Sequence, residues 1–240
     1  MAKYKSKLDE LKIGLEDVWR AQNEAVAIVR KNDVDSLLDQ LKEVDPSIQQ
    51  NEAMSLIGRV NANIPVDSPR RAEVFKSLKE AALKNRLAIP FAAPCLRSTM
   101  RYASEQDCAE LFAMLDEFTS DLRLAELIVA RLVELNPPNM TEKFAENLRS
   151  DDNITVAVGQ SALRRIGAPA EKTVQAYADR AQKGSTERIR MYAITLLGEI
   201  GTPGSIPLLL RIKKENGARS QIIDNSIKQI GNRKKLPPTP

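Results

Sequence analysis

The stretch from Glu187 to Lys213, ERIRMYAITLLGEIGTPGSIPLLLRIK, leaves the chain few ways to fold. Ile189, Tyr192, Ala193, Leu196, Leu197 and Ile200 recur at helical spacing and line one apolar stripe. Gly201 follows the last of them, where a helix ends best on a residue of positive φ. Pro203 cannot continue the helix. Ser205 is placed to cap a second helix, with Pro207 in its first turn, where a missing N–H costs little. Leu208, Leu209 and Ile212 give that helix its own apolar face. The pattern predicts two helices joined by a very short turn.

The same pattern returns along the chain. Thirty-four residues upstream of Ile200-Gly201-Thr202-Pro203 stands Ile166-Gly167-Ala168-Pro169, preceded by Thr155, Val158, Gly159, Ala162 and Leu163 at the stripe positions. Thirty residues downstream stands Ile230-Gly231, with Ile222, Ile223, Ser226 and Ile227 on the stripe. A further step back gives Leu132, Leu135, Asn136 and Pro137, with Asn in the slot that tolerates a left-handed backbone. Four segments thus share one helix-end signature at intervals of 30 to 34 residues. Such a period marks helical hairpins that stack, because a single hairpin cannot bury its apolar face alone.

Arg188-Ile189-Arg190-Met191-Tyr192-Ala193, Leu197-Gly198-Glu199-Ile200-Gly201-Thr202-Pro203 and Ile206-Pro207-Leu208-Leu209 resemble the short HEAT-like repeat, of the type that also occurs in phycobilin lyases and bacterial scaffold proteins. The resemblance is clear over about residues 152–231. It implies an all-α fold, a right-handed α-solenoid of stacked antiparallel helix hairpins. It does not imply one activity.

The rest of the chain reads as helix too. Leu8, Leu11, Leu15, Val18, Gln22, Ala25 and Val29 form a heptad seam that predicts one long helix within 1–31, serving as a cap over the first repeats or as a dimerisation helix. Trp19 beside the seam reads as a core or interface anchor. Divergent helical hairpins are expected over 33–103, with an irregular or kinked piece where Pro90 and Pro94 fall. HEAT-like repeats follow over 104–231, with Ser104 and Asp107 as a capping box and Ser150-Asp151-Asp152 capping a long helix. Residues 232–240 read as a disordered basic and proline-rich tail. No segment alternates with the period of a strand.

Residue types narrow the chemistry. The chain has no histidine, which removes Ser-His-Asp and Cys-His catalysis and histidine-based metal sites. The iron hydroxylases built on HEAT-like repeats need such residues. Cys95 and Cys108 cannot by themselves make a structural zinc site, and they read as free, buried thiols of a reducing cytosol. The charged N-terminal residues lack the apolar stretch of a secretory signal, and no run is long and apolar enough to span a membrane. No phosphate-cradling glycine motif occurs, and the adjacent carboxylates Asp116-Glu117 and Asp151-Asp152 read as solvated face and helix cap. Catalytic residues, metal and cofactor are therefore expected to be none.

Charge is uneven. Residues 141–240 hold 17 Lys and Arg against 10 Asp and Glu, while the chain as a whole is +4. Arg164, Arg165, Arg188, Arg190, Lys213, Lys214, Arg219 and Lys228 form a candidate basic strip on or beside the repeat helices. The expected function is a non-catalytic cytoplasmic scaffold or adaptor that binds a protein partner along one solenoid face. Sequence-independent binding of a nucleic-acid backbone by the basic repeats is the alternative. A lyase-like or DNA-glycosylase-like enzyme on the same scaffold comes third. A homodimer through the N-terminal helix fits the heptad seam.

Overall fold

The computed structural model describes residues 17–24, 33–44, 50–179, 186–216 and 220–233. They are helices joined by short turns, with no strand among the described residues. No described helix is long and apolar enough to cross a membrane. The chain divides into two compact units, Met1–Tyr102 and Ala103–Pro240. Most of the expected N-terminal helix lies outside the described residues. Its described portion, 17–24, is helical and exposed, and Trp19 is 64% exposed, so Trp19 is no core anchor there.

The first unit contains α1 (33–43), α2 (Gln50–Asn63), α3 (Arg71–Lys84) and α4 (Ile89–Tyr102). α4 packs on both α2 and α3, because Phe91, Ala92, Cys95, Leu96 and Met100 cover more than one of its faces. Of the two readings of the stretch with Pro90 and Pro94, a kinked helix or an irregular piece, the structure has a helix, Ile89–Tyr102, with Pro94 inside it. A proline there forfeits one backbone bond, to the carbonyl of Pro90, and the buried apolar faces hold the helix through it. Tyr102 is fully buried and its hydroxyl donates to the Ile64 carbonyl at 2.6 Å. Ser98 Oγ donates to Asn61 Oδ1 at 2.7 Å. These two links, 61 to 98 and 64 to 102, make α2 and α4 run parallel.

The second unit contains α5 (Cys108–Glu117), α6 (Leu122–Leu135), α7 (Met140–Glu146), α8 (Asn153–Ile166), α9 (Glu171–Ala178), α10 (Glu187–Ile200), α11 (Ile206–Asn216) and α12 (Ser220–Arg233). Asp152 caps α8, accepting from the Thr155 amide at 2.7 Å, and Asp121 caps α6. The Ser104–Asp107 capping box is formed, ahead of a short 3-10 turn rather than of α5 itself. Asn136 is left-handed at φ 48°, as the helix-end signature expects.

Three helix-end expectations are overturned. Gly201 has φ −65°, an ordinary extended backbone. What excludes a side chain there is space: a Cβ would stand 2.5 Å from the Leu197 carbonyl oxygen. Gly231 ends nothing, since α12 runs through it to Arg233, and so Asn232 and Arg233 belong to a helix rather than to a tail. Ser205 lies in a 3-10 turn, Pro203–Ser205, and its hydroxyl donates to Glu171 instead of capping α11. Residues 234–240 lie outside the described residues.

α8 packs against α6 and α10, and α10 packs against α8 and α12. Each of these also receives the helix before it: α5 on α6, α7 on α8, α9 on α10 and α11 on α12. One interval recurs across the side-chain links. Ser161 meets Glu126 at a separation of 35 residues, Arg164 meets Glu199 at 35, and Ser226 meets the Ile194 carbonyl at 32. Tyr177 meets Glu146 at 31, Gln175 meets Ser205 at 30, and Arg211 meets Asp179 at 32. Helices of like direction therefore lie side by side in nearly constant register.

Candidate functional site

Seven of the eight basic residues singled out in the sequence are described, and one of these, Arg190, is buried. Arg164, in the last turn of α8, donates through Nε to Glu199 of α10 at 2.5 Å. Arg188, in the first turn of α10, donates to the Ser150 carbonyl at 2.8 Å and to Asp151 at 3.0 Å, just before α8 begins. α8 and α10 are thus parallel, and Arg164 and Arg188 stand at opposite ends of the pair, roughly 18 Å apart along the axis. Arg190 is 2% exposed. Its Nε donates to the Ala178 carbonyl at the end of α9, and Nη1 reaches Glu187 at 3.3 Å. Lys213 donates to Asp224 at 2.6 Å and joins α11 to α12. Arg165, Lys214 and Lys228 are exposed, with no ion pair among the described residues. Arg219 lies outside the described residues.

Four of the eight thus meet a carboxylate, three of them reaching a separate helix or loop. Exposed pairs of this kind contribute about 0–1 kcal/mol each, so their main effect is on register rather than on overall stability. Arg190 differs. A buried guanidinium on a helix-terminal carbonyl satisfies an acceptor that has no partner within its own helix.

Two polar clusters were not legible in the sequence. Glu171, in the first turn of α9, accepts from the Thr202 amide at 2.9 Å, from Thr202 Oγ1 at 3.0 Å and from Ser205 Oγ at 2.5 Å. Burial alone would raise this carboxyl. The hydrogen bonds from Ser205, Thr202 and Gln175 outweigh it and hold Glu171 below the usual carboxylate range. Arg233, read in the sequence as tail, donates to the carbonyls of Gly198 at 2.6 Å, Glu199 at 2.5 Å and Gly201 at 2.7 Å. It closes the C-terminal end of α10 with a planar fork, where the helix dipole also favours a cation. The 32-residue step from Gly201 to Arg233 was the available signal.

Among the described residues of this unit, the titratable groups that are displaced move away from neutrality. Burial, then the hydrogen bond to Glu146, pushes Tyr177 up to about 12. The hydrogen bonds of Thr155 hold Asp152 low, and those of Arg123 hold Asp121 low. Burial likewise pushes Cys95 of the first unit up to about 12. General acid–base work at neutral pH needs displacement in the opposite sense. The depression between α7 and α9, about 460 Å³ and bordered by Glu142, Glu146, Lys172 and Tyr177, is open to solvent. Among the described residues no group of three or more acidic or cysteine side chains is gathered as a metal site would require.

Comparison of the chain with protein-family models, with curated proteins and with solved structures finds no match.

Proposed function

We propose that residues 104–231 are HEAT-like repeats stacked as a right-handed α-solenoid, and that the protein is a non-catalytic cytoplasmic scaffold that binds a protein partner along one solenoid face. The observation that carries this reading is the recurrent interval of 30–35 residues across the links between neighbouring helices. A chain whose contacts repeat at its sequence period builds a long preorganised surface, which lowers the ordering cost of a broad interface. Exposed Val18 and Trp19 agree with a second copy docking on the N-terminal helix.

Photo-crosslinking from exposed positions such as Lys172, Lys214 and Lys228, in cells that make the protein, tests it. Discrete protein adducts from one set of positions are the expected result. Adducts to nucleic acid alone, or none from any position, contradict it. The alternative reading, binding of a phosphate backbone, is favoured by the excess of Lys and Arg in 141–240 and by exposed Arg165, Lys214 and Lys228. It requires affinity for generic duplex that falls steeply with salt and weakens in an Arg165→Ala/Lys214→Ala/Lys228→Ala variant.

A further inference from the structure

α2 and α4 run parallel in the first unit and leave between them a groove of about 360 Å³. Met54, Ile57 and Gly58 border it from α2; Pro94, Arg97 and Arg101 border it from α4. Met54 is 48% exposed, while Ile57 is buried and forms apolar floor. The hydrogen bond from Ser98 to Asn61 ties the two helices beneath the opening.

Two residues here weaken their own helices. Gly58 lies in the interior of α2, where glycine is a poor helix former, yet a Cβ on it would meet nothing within 4 Å. Pro94 lies in the interior of α4, where it removes a backbone bond. Both border the same groove.

Among the described residues the charge on this groove is of one sign. α4 carries Arg97 and Arg101 and no acidic residue. Both arginines are exposed, and neither makes an ion pair among the described residues. They stand one helical turn apart, the spacing of two carboxylates one turn apart on a facing helix. Glu52 of α2 is two residues before Met54 and does not border the groove.

We propose that this groove is a docking site for an acidic amphipathic helical segment of a partner protein. Its apolar side chains would cover Met54 and Ile57, and its carboxylates would meet Arg97 and Arg101. Recognition of a helix by an apolar groove with charged margins is a recurrent mode of binding. A protein segment is favoured over nucleic acid because, among the described residues, the groove pairs an apolar floor with two cations and has no aromatic side chain on which a base would stack. The inference rests on the scaffold reading of the protein and adds the surface and the chemistry of the partner.

The test is a display library of peptides of about 16 residues, long enough to form a helix when bound. Leucines are fixed along one face, and Glu, Lys or Ser vary elsewhere. It is selected against the full-length protein and two variants, Arg97→Glu/Arg101→Glu and Gly58→Leu, whose helicity is first checked by circular dichroism. The expected result is enrichment of Glu one turn apart with the wild type and a shift to Lys with the double variant. Affinity for the selected acidic peptide should fall at least about tenfold in each variant. Selected peptides unaffected by either variant overturn the groove, as does enrichment of Lys by the wild type or an empty selection. So does binding of a single-stranded RNA probe lost in the double variant. Protein adducts at other positions in the photo-crosslinking experiment would then leave the scaffold reading standing, whereas their absence as well would remove both.

Discussion

An added methyl on Gly198 would stand 2.9 Å from Cα of Ser226 and 2.8 Å from its hydroxyl oxygen, with α10 and α12 pressed together at that point. Backbone cannot move aside as a flexible side chain can. Gly198→Ala is therefore expected to destabilise the protein by about 1–3 kcal/mol, the usual cost of overpacking. Gly231 is also helical, but its Cβ position is open. Gly231→Ala should raise stability by about 0.5–1 kcal/mol through helix propensity alone. Urea denaturation of the two variants separates close approach from backbone freedom, and equal effects would show that the contact does not matter. The same distinction explains why the sequence misled at Gly201. A glycine after an apolar stripe signals either a left-handed turn or a tight approach, and sequence alone does not say which.

At the level of helices, the links between neighbours decide register. Arg233 contributes three donated hydrogen bonds to carbonyls at the end of α10. Arg233→Ala should cost about 2–3 kcal/mol, and Arg233→Lys should not restore it, because an ammonium cannot reproduce the planar fork. Thermal unfolding of both variants checks this; full rescue by Lys would mean that charge alone matters. Glu171 makes the corresponding join between α9 and the turn before α11. Its folded-state titration lies below the unfolded one, so its contribution is present above the ordinary carboxylate value and is lost as pH falls through the folded value. The stability difference between wild type and Glu171→Gln should therefore be largest near neutral pH and shrink below about pH 4. A constant difference would place the effect in packing. The helices themselves were legible, since stripe, proline and cap positions repeat: Asp152, Asn136 and the Ser104–Asp107 box stand where sequence places them. Arg233 and Glu171 were not, because each acts on a partner 31 to 35 residues away, and nothing local in either segment marks it. The basic strip was legible as composition only. Whether Arg164 and Arg188 face solvent or Glu199 and Asp151 depends on which helices become neighbours.

For the molecule as a whole, the proposed stacking makes the second unit a linear array in which each helix pair depends on its neighbours. Stability in such an array is a sum of local terms and interfaces, so it need not be uniform along the chain. Native-state hydrogen exchange of the full-length protein and of its Arg233→Ala variant tests this most directly. The predicted result is strongest protection in α8 and α10, weaker protection in α12, and a loss in the variant confined to the end of α10 and to α12. Uniform protection across α5 to α12 that falls equally everywhere in the variant would contradict it, and would make the second unit a single cooperative core rather than a stack of repeats.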